Sequence, residues 1–364
     1  MSIVSNHNVV KMSPRVEDLA KLFKGKPGMI QLQPKGWALP LAFERYSKDI
    51  KEFPFYEDDT ILMTMPKSGT TWIQEILWTM KNNAKLDHPM ASVPLNRRSP
   101  FLEVDILVEQ IQHRGTIAEM FSQQYPDFDQ SYGMGLHVAR KAPRPRVIKT
   151  HLSFSLISDS ALSNTKVLID KMRKSNHTKT LFLMFLQIVY VIRDPRDVCI
   201  SYHHHCRIFK YEDFQGTFDQ FVDAFIEGAV TYAPYWAHVK AAWERRNHPN
   251  LHILFYEKMK KNTKEEFMKL SKFLGLDISD AQMDKIIEYT SFSEMKKRDI
   301  HVISPRDAHV MLNLVRANEE GGFFRQGTSG SWKSTLNEDQ KEKFNVWIEK
   351  NCFDKVIMEN ITNL

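Results

Sequence analysis

The sequence predicts an α/β protein with three layers, in which a central parallel β-sheet lies between two layers of helices. Two observations support this. Short apolar segments typical of buried strands alternate with segments of helical periodicity, and polar or turn-forming residues follow the strand ends. No internal repeat or linker-like segment divides the 364 residues, so we expect one domain over residues 1–364.

The first predicted unit is a strand, a short loop and a helix. The run Thr60–Met65 is apolar and ends at Pro66, as expected for a buried strand. In the segment Thr71–Met80, the apolar side chains share one helical face. Later strands are predicted at Arg146–Lys149, Ile188–Ile192 and Leu251–Phe255, and later helices at Lys264–Phe273, Asp280–Tyr289 and Glu338–Lys350.

Two further helix starts carry capping signals. After the third strand, Asp194 is predicted as N-cap with Pro195 at the first helical position. Asn337 and Gln340 have the spacing of an N-cap residue and its third helical residue. Because ligands in parallel sheets bind at the carboxyl ends of strands, residues that follow these strands are the first candidates for a site.

Composition narrows the class of protein. Lys and Arg number 50 and Asp and Glu number 44, giving a net charge of +6, which suits a small anionic ligand without requiring nucleic acid. The three cysteines argue against a disulfide framework and indicate a reducing compartment. The polar segment 1–20 lacks the apolar stretch of a signal peptide, and the longest apolar run, Leu181–Ile192, is shorter than the ~20 residues that span a bilayer. We therefore expect a cytoplasmic protein that does not bind membranes.

The loop after the first strand is a candidate anion site. Its glycine lets successive N–H groups converge, the helix start adds free donors, and Lys67 adds a full charge. The loop does not match the GxxxxGK(S/T) pattern, which disfavours an NTPase or a nucleotide kinase. A plain capped helix start is the alternative reading.

Three more features follow strands or are rich in glycine. Arg193 and Ser201 follow the third strand and would suit a second phosphate, although Arg193 could equally pair with a neighbouring aspartate. His151, beside Lys149, is a candidate general base, although a lone histidine is more often structural. The segment 321–333 combines four glycines with aromatic and basic residues, which suits either a lid or a plain surface loop.

No metal site is predicted. The triple His203-His204-His205 cannot chelate one ion, because adjacent helical residues do not face each other. We interpret these histidines as helix-surface and packing residues. The cysteines show no metal-ligand spacing either.

In this order, these segments resemble the cytosolic sulfotransferase family over most of the chain from about Phe53 onward. The strings that carry the resemblance are PKSGTTW at 66–72, KTHL at 149–152, YVIRDPRDVCISYHHH at 190–205, FYEKMKKN at 255–262, YTSFSEMKK at 289–297 and FFRQGTSGSWK at 323–333. The resemblance implies a P-loop-like phosphosulfate-binding loop. It also implies transfer of a sulfuryl group from 3′-phosphoadenosine 5′-phosphosulfate (PAPS) to a hydroxyl of a small apolar phenol, alcohol or sterol-like acceptor, without a metal.

The resemblance also implies roles for individual residues. His151 corresponds to the general base, with Lys67 and Lys149 as catalytic lysines, and Phe101 to a wall of the acceptor pocket. The residues implied to bind PAPS are Lys67, Ser68, Gly69, Thr70, Thr71, Trp72, Arg193, Ser201, Tyr256, Thr290, Phe292, Met295, Phe323, Arg325, Gln326 and Gly327.

Three departures from the family pattern qualify these implications. Gln326 stands where the family usually has lysine, which predicts a weaker grip on the 3′-phosphate. Asn337 and Glu338 replace the Thr-Val pair of the family's dimer motif, which leaves a monomer or a homodimer open. The segment Val167–Gln187 is an insertion of 21 residues. It is interpreted as a retained in-frame intron, with a genuine surface insertion as the alternative.

Several readings therefore stay open. Beside the sulfotransferase, the sequence allows a weak or inactive PAPS-binding homologue and a retinol-dehydratase-like activity on the same fold. The acceptor is not determined, because family membership constrains the donor better than the acceptor.

Overall fold

The structure is a computed structural model of the 364-residue chain. It describes residues 3–4, 6–26, 28–109, 119, 121–129, 132–157, 186–298, 304–324 and 327–362. In these ranges no helix is long and apolar enough to cross a membrane. The strands, numbered β1 to β8, are Ile3–Val4, His7–Val10, Met29–Gln33, Trp37–Pro40, Thr60–Thr64, Val147–Thr150, Gln187–Ile192 and Leu251–Phe255.

The central sheet contains the four predicted strands in the spatial order β6-β5-β7-β8, all parallel. Thr60 pairs with Val147 on one side and with Gln187 on the other, so β5 lies in the interior of the sheet. Because these strands are parallel, the segments that follow β5, β6 and β7 all begin at the carboxyl end of the sheet. This places Lys67, His151 and Arg193 on neighbouring loops.

Helices cover both faces of this sheet, as predicted. Leu62 and Val189 face a cluster formed with helices 70–82, 263–273 and 280–289. Ile61 and Ile188 face the larger second cluster. Because strand residues alternate between the two faces, continuous apolar runs such as TILMT are what a doubly covered parallel strand requires.

An antiparallel sheet of the short strands β1 to β4 was not predicted. Strands β3 and β4 form a hairpin in which Leu32 pairs with Trp37, and Gly36 in the turn has a φ of 77°. Trp37 and Leu39 are almost fully buried in the larger core cluster. This sheet therefore belongs to the same core as the central one.

The predicted helices are present with ends that differ by at most two residues, and Asp280–Tyr289 agrees at both ends. Asp194 accepts a hydrogen bond from the Arg196 N–H, and Asn337 and Gln340 form a full capping box. Among the described residues, the α-helices are Pro14–Ala20, Phe43–Lys51, Thr70–Asn82, Leu95–Arg98, Asp105–Val108, Met134–Lys141, Pro195–Ile208, Phe218–Glu227, Tyr235–Trp243, Tyr256–Lys261, Thr263–Phe273, Asp280–Tyr289, Phe292–Lys297, Pro305–Met311, Leu314–Glu319, Trp332–Thr335, Glu338–Asn351 and Lys355–Thr362.

Most of the insertion Val167–Gln187 lies outside the described residues, which resume at Leu186. Gln187 is the first residue of β7, and its side-chain amide donates to the carbonyl of Phe273 at 2.8 Å. The interpretation as a retained intron remains a prediction. It requires that Lys166 take the place of Gln187 at the start of this strand when the segment is removed.

Candidate active site

One cavity of about 540 Å³ lies at the carboxyl ends of the central strands. Lys67, Lys149, His151 and Arg193, which are far apart in sequence, all border it. The predicted site residues that line it are Lys67, Gly69, Thr70, Thr71, Trp72, Phe101, Lys149, His151, Arg193, Ser201, Tyr256, Phe292, Met295, Phe323 and Gly327.

The loop after β5 has the curled backbone that its glycine predicts. Lys67 and Gly69 both have positive φ, at 68° and 94°. A Cβ on Gly69 would lie 2.6 Å from the ring of Tyr256, so no larger residue fits here without displacing that ring. Helix 70–82 begins directly after the loop, so its free N–H groups face the same place. The side chain of Ser68 is buried, and its hydroxyl has no partner among the described residues.

Arg193 ties this loop to the C-terminal segment. Its guanidinium donates to the carbonyl of Lys67 and to that of Thr328, both at 2.9 Å, and stacks over Tyr256 at 4.3 Å. The guanidinium also lies 4.0 Å from the carboxylate of Asp197, so the pairing considered as the alternative is present, but it is buried rather than on the surface. Its Nε atom is buried without a partner in the described part of the chain. Ser201, on the helix that follows, borders the same cavity.

Aromatic side chains line the end of the cavity beyond Arg193. The rings of Trp72 and Tyr256 meet edge to face at 5.9 Å. Gly327 has a φ of 64°, and a Cβ there would lie 2.4 Å from the ring of Phe292. Thr290, predicted for this pocket, does not line the cavity, because its hydroxyl is buried and donates to the carbonyl of Ile286 at 2.7 Å.

His151 is a buried imidazole whose ring orientation is fixed. Its Nδ1 lies 2.8 Å from the carbonyl oxygen of Thr64, so a neutral ring with its proton on Nδ1 leaves Nε2 unprotonated. The rings of Phe101 and Tyr232 flank it at 5.2 and 5.4 Å. Burial, with the charge of Lys149 adding to it, holds the pKa of His151 well below its usual value, so the ring is neutral at pH 7.

The charge of Lys149 is also sensitive to its surroundings. Its ammonium lies 4.0 Å from the centre of the Phe101 ring. Burial lowers the pKa of Lys149 to about 8, and the carboxylate of Glu103 opposes this shift. The lysine is therefore mostly protonated at pH 7 and loses its charge as the pH rises through about 8.

The lining also has a largely apolar part. Apolar side chains from the segments around Phe101 and Met134 contribute to it, together with Tyr211, Tyr232 and buried Glu212. Glu212 pairs with Lys26 beneath the surface. A small, mostly apolar molecule with a polar group fits such a cavity.

Three observations qualify the sequence predictions. Arg325 and Gln326 lie outside the described residues, so their predicted roles stay predictions. Of the three histidines interpreted as helix-surface and packing residues, His204 is a packing residue, because it is buried between Glu320 and the carbonyl of Gly322. His205 lines the cavity and contacts the hydroxyl of Tyr211. Among the described residues, no group of three or more potential metal ligands comes together.

Sequence reasoning missed several residues at the site. Asp197 accepts hydrogen bonds from the Gly330 N–H, the Ser331 hydroxyl and the Trp332 N–H, which fixes the end of the glycine-rich segment to the helix after β7. Its place as the second acid of RDPRD was a signal for it. Lys260, which lines the cavity 5.3 Å from the ring of Trp72, lies in the string FYEKMKKN but was not singled out there.

Comparisons with known proteins agree with this geometry. The family model described as the sulfotransferase domain matches residues 57–170 and 172–356. Luciferin sulfotransferase of Photinus pyralis is 30% identical over 314 residues, which cover 86% of this chain and 76% of that protein. Sulfotransferase 1A1 of Mus musculus is 31% identical over 317 residues, 87% of this chain and 92% of that protein.

A solved structure shares the fold. Retinol dehydratase in complex with androsterone and the inactive cofactor PAP superposes with a TM-score of 0.75 at 24% identity, covering 96% of each chain. This confirms the predicted α/β architecture with its P-loop-like loop. With more than half of its length matched by the domain model and with relatives at 30% identity and above, the chain belongs to the sulfotransferase family and is a sulfotransferase.

Proposed function

We propose that the protein transfers a sulfuryl group from PAPS to the hydroxyl of a small, mostly apolar acceptor, with His151 as general base. One observation carries this proposal. The anion loop at Lys67, the guanidinium of Arg193 and the neutral imidazole of His151 border one cavity. A doubly phosphorylated donor and a hydroxyl acceptor can therefore meet there.

The residues at the donor end fit PAPS. The hydroxyl of Ser68 and the Nε atom of Arg193 are buried without partners among the described residues, and a buried unpaired polar atom costs about 1–3 kcal/mol. Phosphate oxygens satisfy such atoms. By family resemblance the loop at Lys67 holds the 5′-phosphosulfate, and Arg193 with Ser201 and Arg325 holds the 3′-phosphate. Bound PAPS supplies an electrophilic sulfur on a phosphate leaving group.

His151 performs the proton transfer. Because Thr64 holds the Nδ1–H, the free Nε2 accepts the proton of the acceptor hydroxyl as its oxygen bonds to sulfur. Such proton transfer is typically worth about 10²–10⁴-fold in rate. The ammonium groups of Lys67 and Lys149 stabilise the negative charge that grows as the bond from sulfur to the phosphate oxygen breaks. Positioning the donor, the acceptor and the base within one cavity supplies the rest of the rate enhancement.

Two alternatives have a specific observation in their favour. Gln326 in place of the family lysine favours a catalytically weak or inactive PAPS-binding homologue. The superposition on retinol dehydratase favours a retinol-dehydratase-like activity, in which a sulfated intermediate undergoes elimination. At 24% identity, this superposition shows a shared fold alone. We further propose a cytoplasmic location, supported by free Cys199, Cys206 and Cys352.

The test is turnover of labelled PAPS with a panel of phenols, alcohols and sterols. We expect sulfated product from the wild-type protein, and none above background from His151→Ala, which should still bind PAP (3′-phosphoadenosine 5′-phosphate). His309→Ala is the matched control, because His309 is exposed and does not line the cavity. PAPS binding without turnover would favour the inactive homologue. Elimination from the sulfated product would favour the dehydratase-like activity. Full activity of His151→Ala would refute the assignment of His151 as the base.

A further inference from the structure

The main chain of His151 is held from both sides by charged and polar side chains that do not line the cavity. Its N–H donates to the Glu103 carboxylate at 2.6 Å, and its carbonyl accepts from Nε2 of His238 at 3.0 Å. Glu103 and His238 are each 1% exposed. Both lie outside the set of cavity-lining residues, so neither is placed to touch a bound substrate.

Glu103 also joins two segments that carry the site. Its second carboxylate oxygen accepts from the Thr150 hydroxyl at 2.8 Å. Just before it, Pro100 and Leu102 bond to the main chain of Lys149 on the free edge of the central sheet. The Glu103 carboxylate therefore fixes the chain at the junction between Thr150, the last residue of strand β6, and His151.

His238 completes the arrangement through a directed pair of hydrogen bonds. The hydroxyl of Tyr190, on strand β7, lies 2.6 Å from its Nδ1. Burial lowers the pKa of His238 to about 4, so the ring is neutral and carries one proton. The carbonyl of His151 must receive that proton from Nε2, and Tyr190 therefore donates to Nδ1. This orientation satisfies all three groups.

We propose that Glu103 and His238 form a clamp that positions the base His151, and that Glu103 also sustains the positive charge of Lys149. Neither is a catalytic residue in the sense of touching substrate. The inference rests on the proposed function, because it concerns how the same site is positioned. Besides Lys149, the ionisable group facing Glu103 is the phenol of Tyr232, whose pKa the carboxylate helps to raise.

The charge effect has a definite sign. Burial raises the pKa of Glu103 to about 7, so this carboxyl is ionised where Lys149 titrates near pH 8. The negative charge raises the pKa of Lys149. Replacing it by a neutral amide removes that support, and the loss of rate at high pH must move to lower pH. A purely structural role for Glu103 would leave this limb of the profile where it is.

The experiment compares Glu103→Gln, Glu103→Ala, His238→Gln and His238→Phe with wild type, using a non-ionising alcohol that the wild-type enzyme sulfates. Glu103→Ala and His238→Phe remove the hydrogen bonds to His151. We expect kcat to fall about 10- to 100-fold in both, since a misplacement of 1 Å costs about 10²-fold. The dissociation constant of PAP should stay within about twofold of wild type, because neither Glu103 nor His238 lines the cavity.

The conservative variants separate positioning from folding. His238→Gln keeps a donor where Nε2 lies and should recover most of the kcat that His238→Phe loses. Glu103→Gln should retain the fold and shift the basic limb of the kcat/KM profile to lower pH. Glu44→Gln, at an exposed position, is the control that should change nothing. Wild-type kcat and an unmoved limb in Glu103→Gln would overturn the inference, as would equal losses of kcat and PAP affinity. Absence of turnover in the wild type would instead refute the proposed function.

Discussion

Replacing Gly69 by alanine should weaken PAP binding strongly, for two reasons that the structure separates. A left-handed backbone costs an alanine about 1–2 kcal/mol, and Gly69 has a φ of 94°. In addition, the new Cβ would lie 2.6 Å from the Tyr256 ring, whereas carbon atoms settle at about 3.5–4.0 Å. The loop or the ring must therefore move by about 1 Å.

Such a movement would disturb the proposed phosphate site on both sides. Tyr256 carries the guanidinium of Arg193 on its face and donates from its hydroxyl to the carbonyl of Gly327 at 3.2 Å. Hydrogen bonds to charged groups contribute about 1.5–3 kcal/mol each, so losing one predicts a dissociation constant for PAP raised about 10- to 100-fold. Isothermal titration calorimetry measures it directly.

Gly321→Ala is the matched control for backbone strain. Gly321 has a φ of 87°, but a Cβ there would meet no atom within 4 Å. We expect Gly321→Ala to lower the free energy of unfolding by about 1–2 kcal/mol and to keep normal PAP affinity. Gly69→Ala should lower the free energy of unfolding further, because only its Cβ meets the Tyr256 ring. If Gly69→Ala bound PAP as tightly as wild type, the close approach of loop and ring would not be what the phosphate site requires.

Three further predictions concern the same cavity. Because burial lowers the pKa of Lys149 to about 8, kcat/KM with an alcohol acceptor should fall as the pH rises through about 8. Lys149→Arg should move this fall to a pH above the measured range. An identical pH profile for both enzymes would contradict this prediction. Asp197→Ala removes the acceptor for three donors at 330–332 and should weaken PAP binding about tenfold by calorimetry. Normal affinity would show that these bonds do not position the segment. Gln326→Lys should tighten PAP binding and increase its dependence on salt concentration, because the family resemblance implies that the added charge would face a phosphate. Unchanged affinity would argue against the predicted contact.

The central sheet could be predicted because each of its strands is a continuous apolar run bounded by a turn signal. TILMT before Pro66 and QIVYVI before Arg193 need no distant partner to be recognised. The N-terminal sheet could not be predicted in the same way, because His7–Val10 and Trp37–Pro40 have only four residues each. Their burial depends on packing against the rest of the core.

The same distinction applies to the site. Lys67, His151 and Arg193 were predictable, because each lies within three residues of a strand end, and parallel strands bring their ends together. The clamp was not, because Glu103 and His238 contact His151 across 48 and 87 residues of sequence. No local pattern marks a carboxylate whose partner is a distant main-chain N–H.

The two ends of the cavity are built by different means, and this explains why the family reveals the donor sooner than the acceptor. At the donor end, backbone conformation decides the fit, since Gly69 and Gly327 each lie too close to an aromatic ring for any side chain. Such a requirement can be recognised in the sequence, because only glycine fits at these positions. At the acceptor end, side chains from separate segments, such as Phe101, Met134 and Tyr211, form the wall. Each of these can change without altering the fold, so different acceptors are compatible with the same proposed donor site.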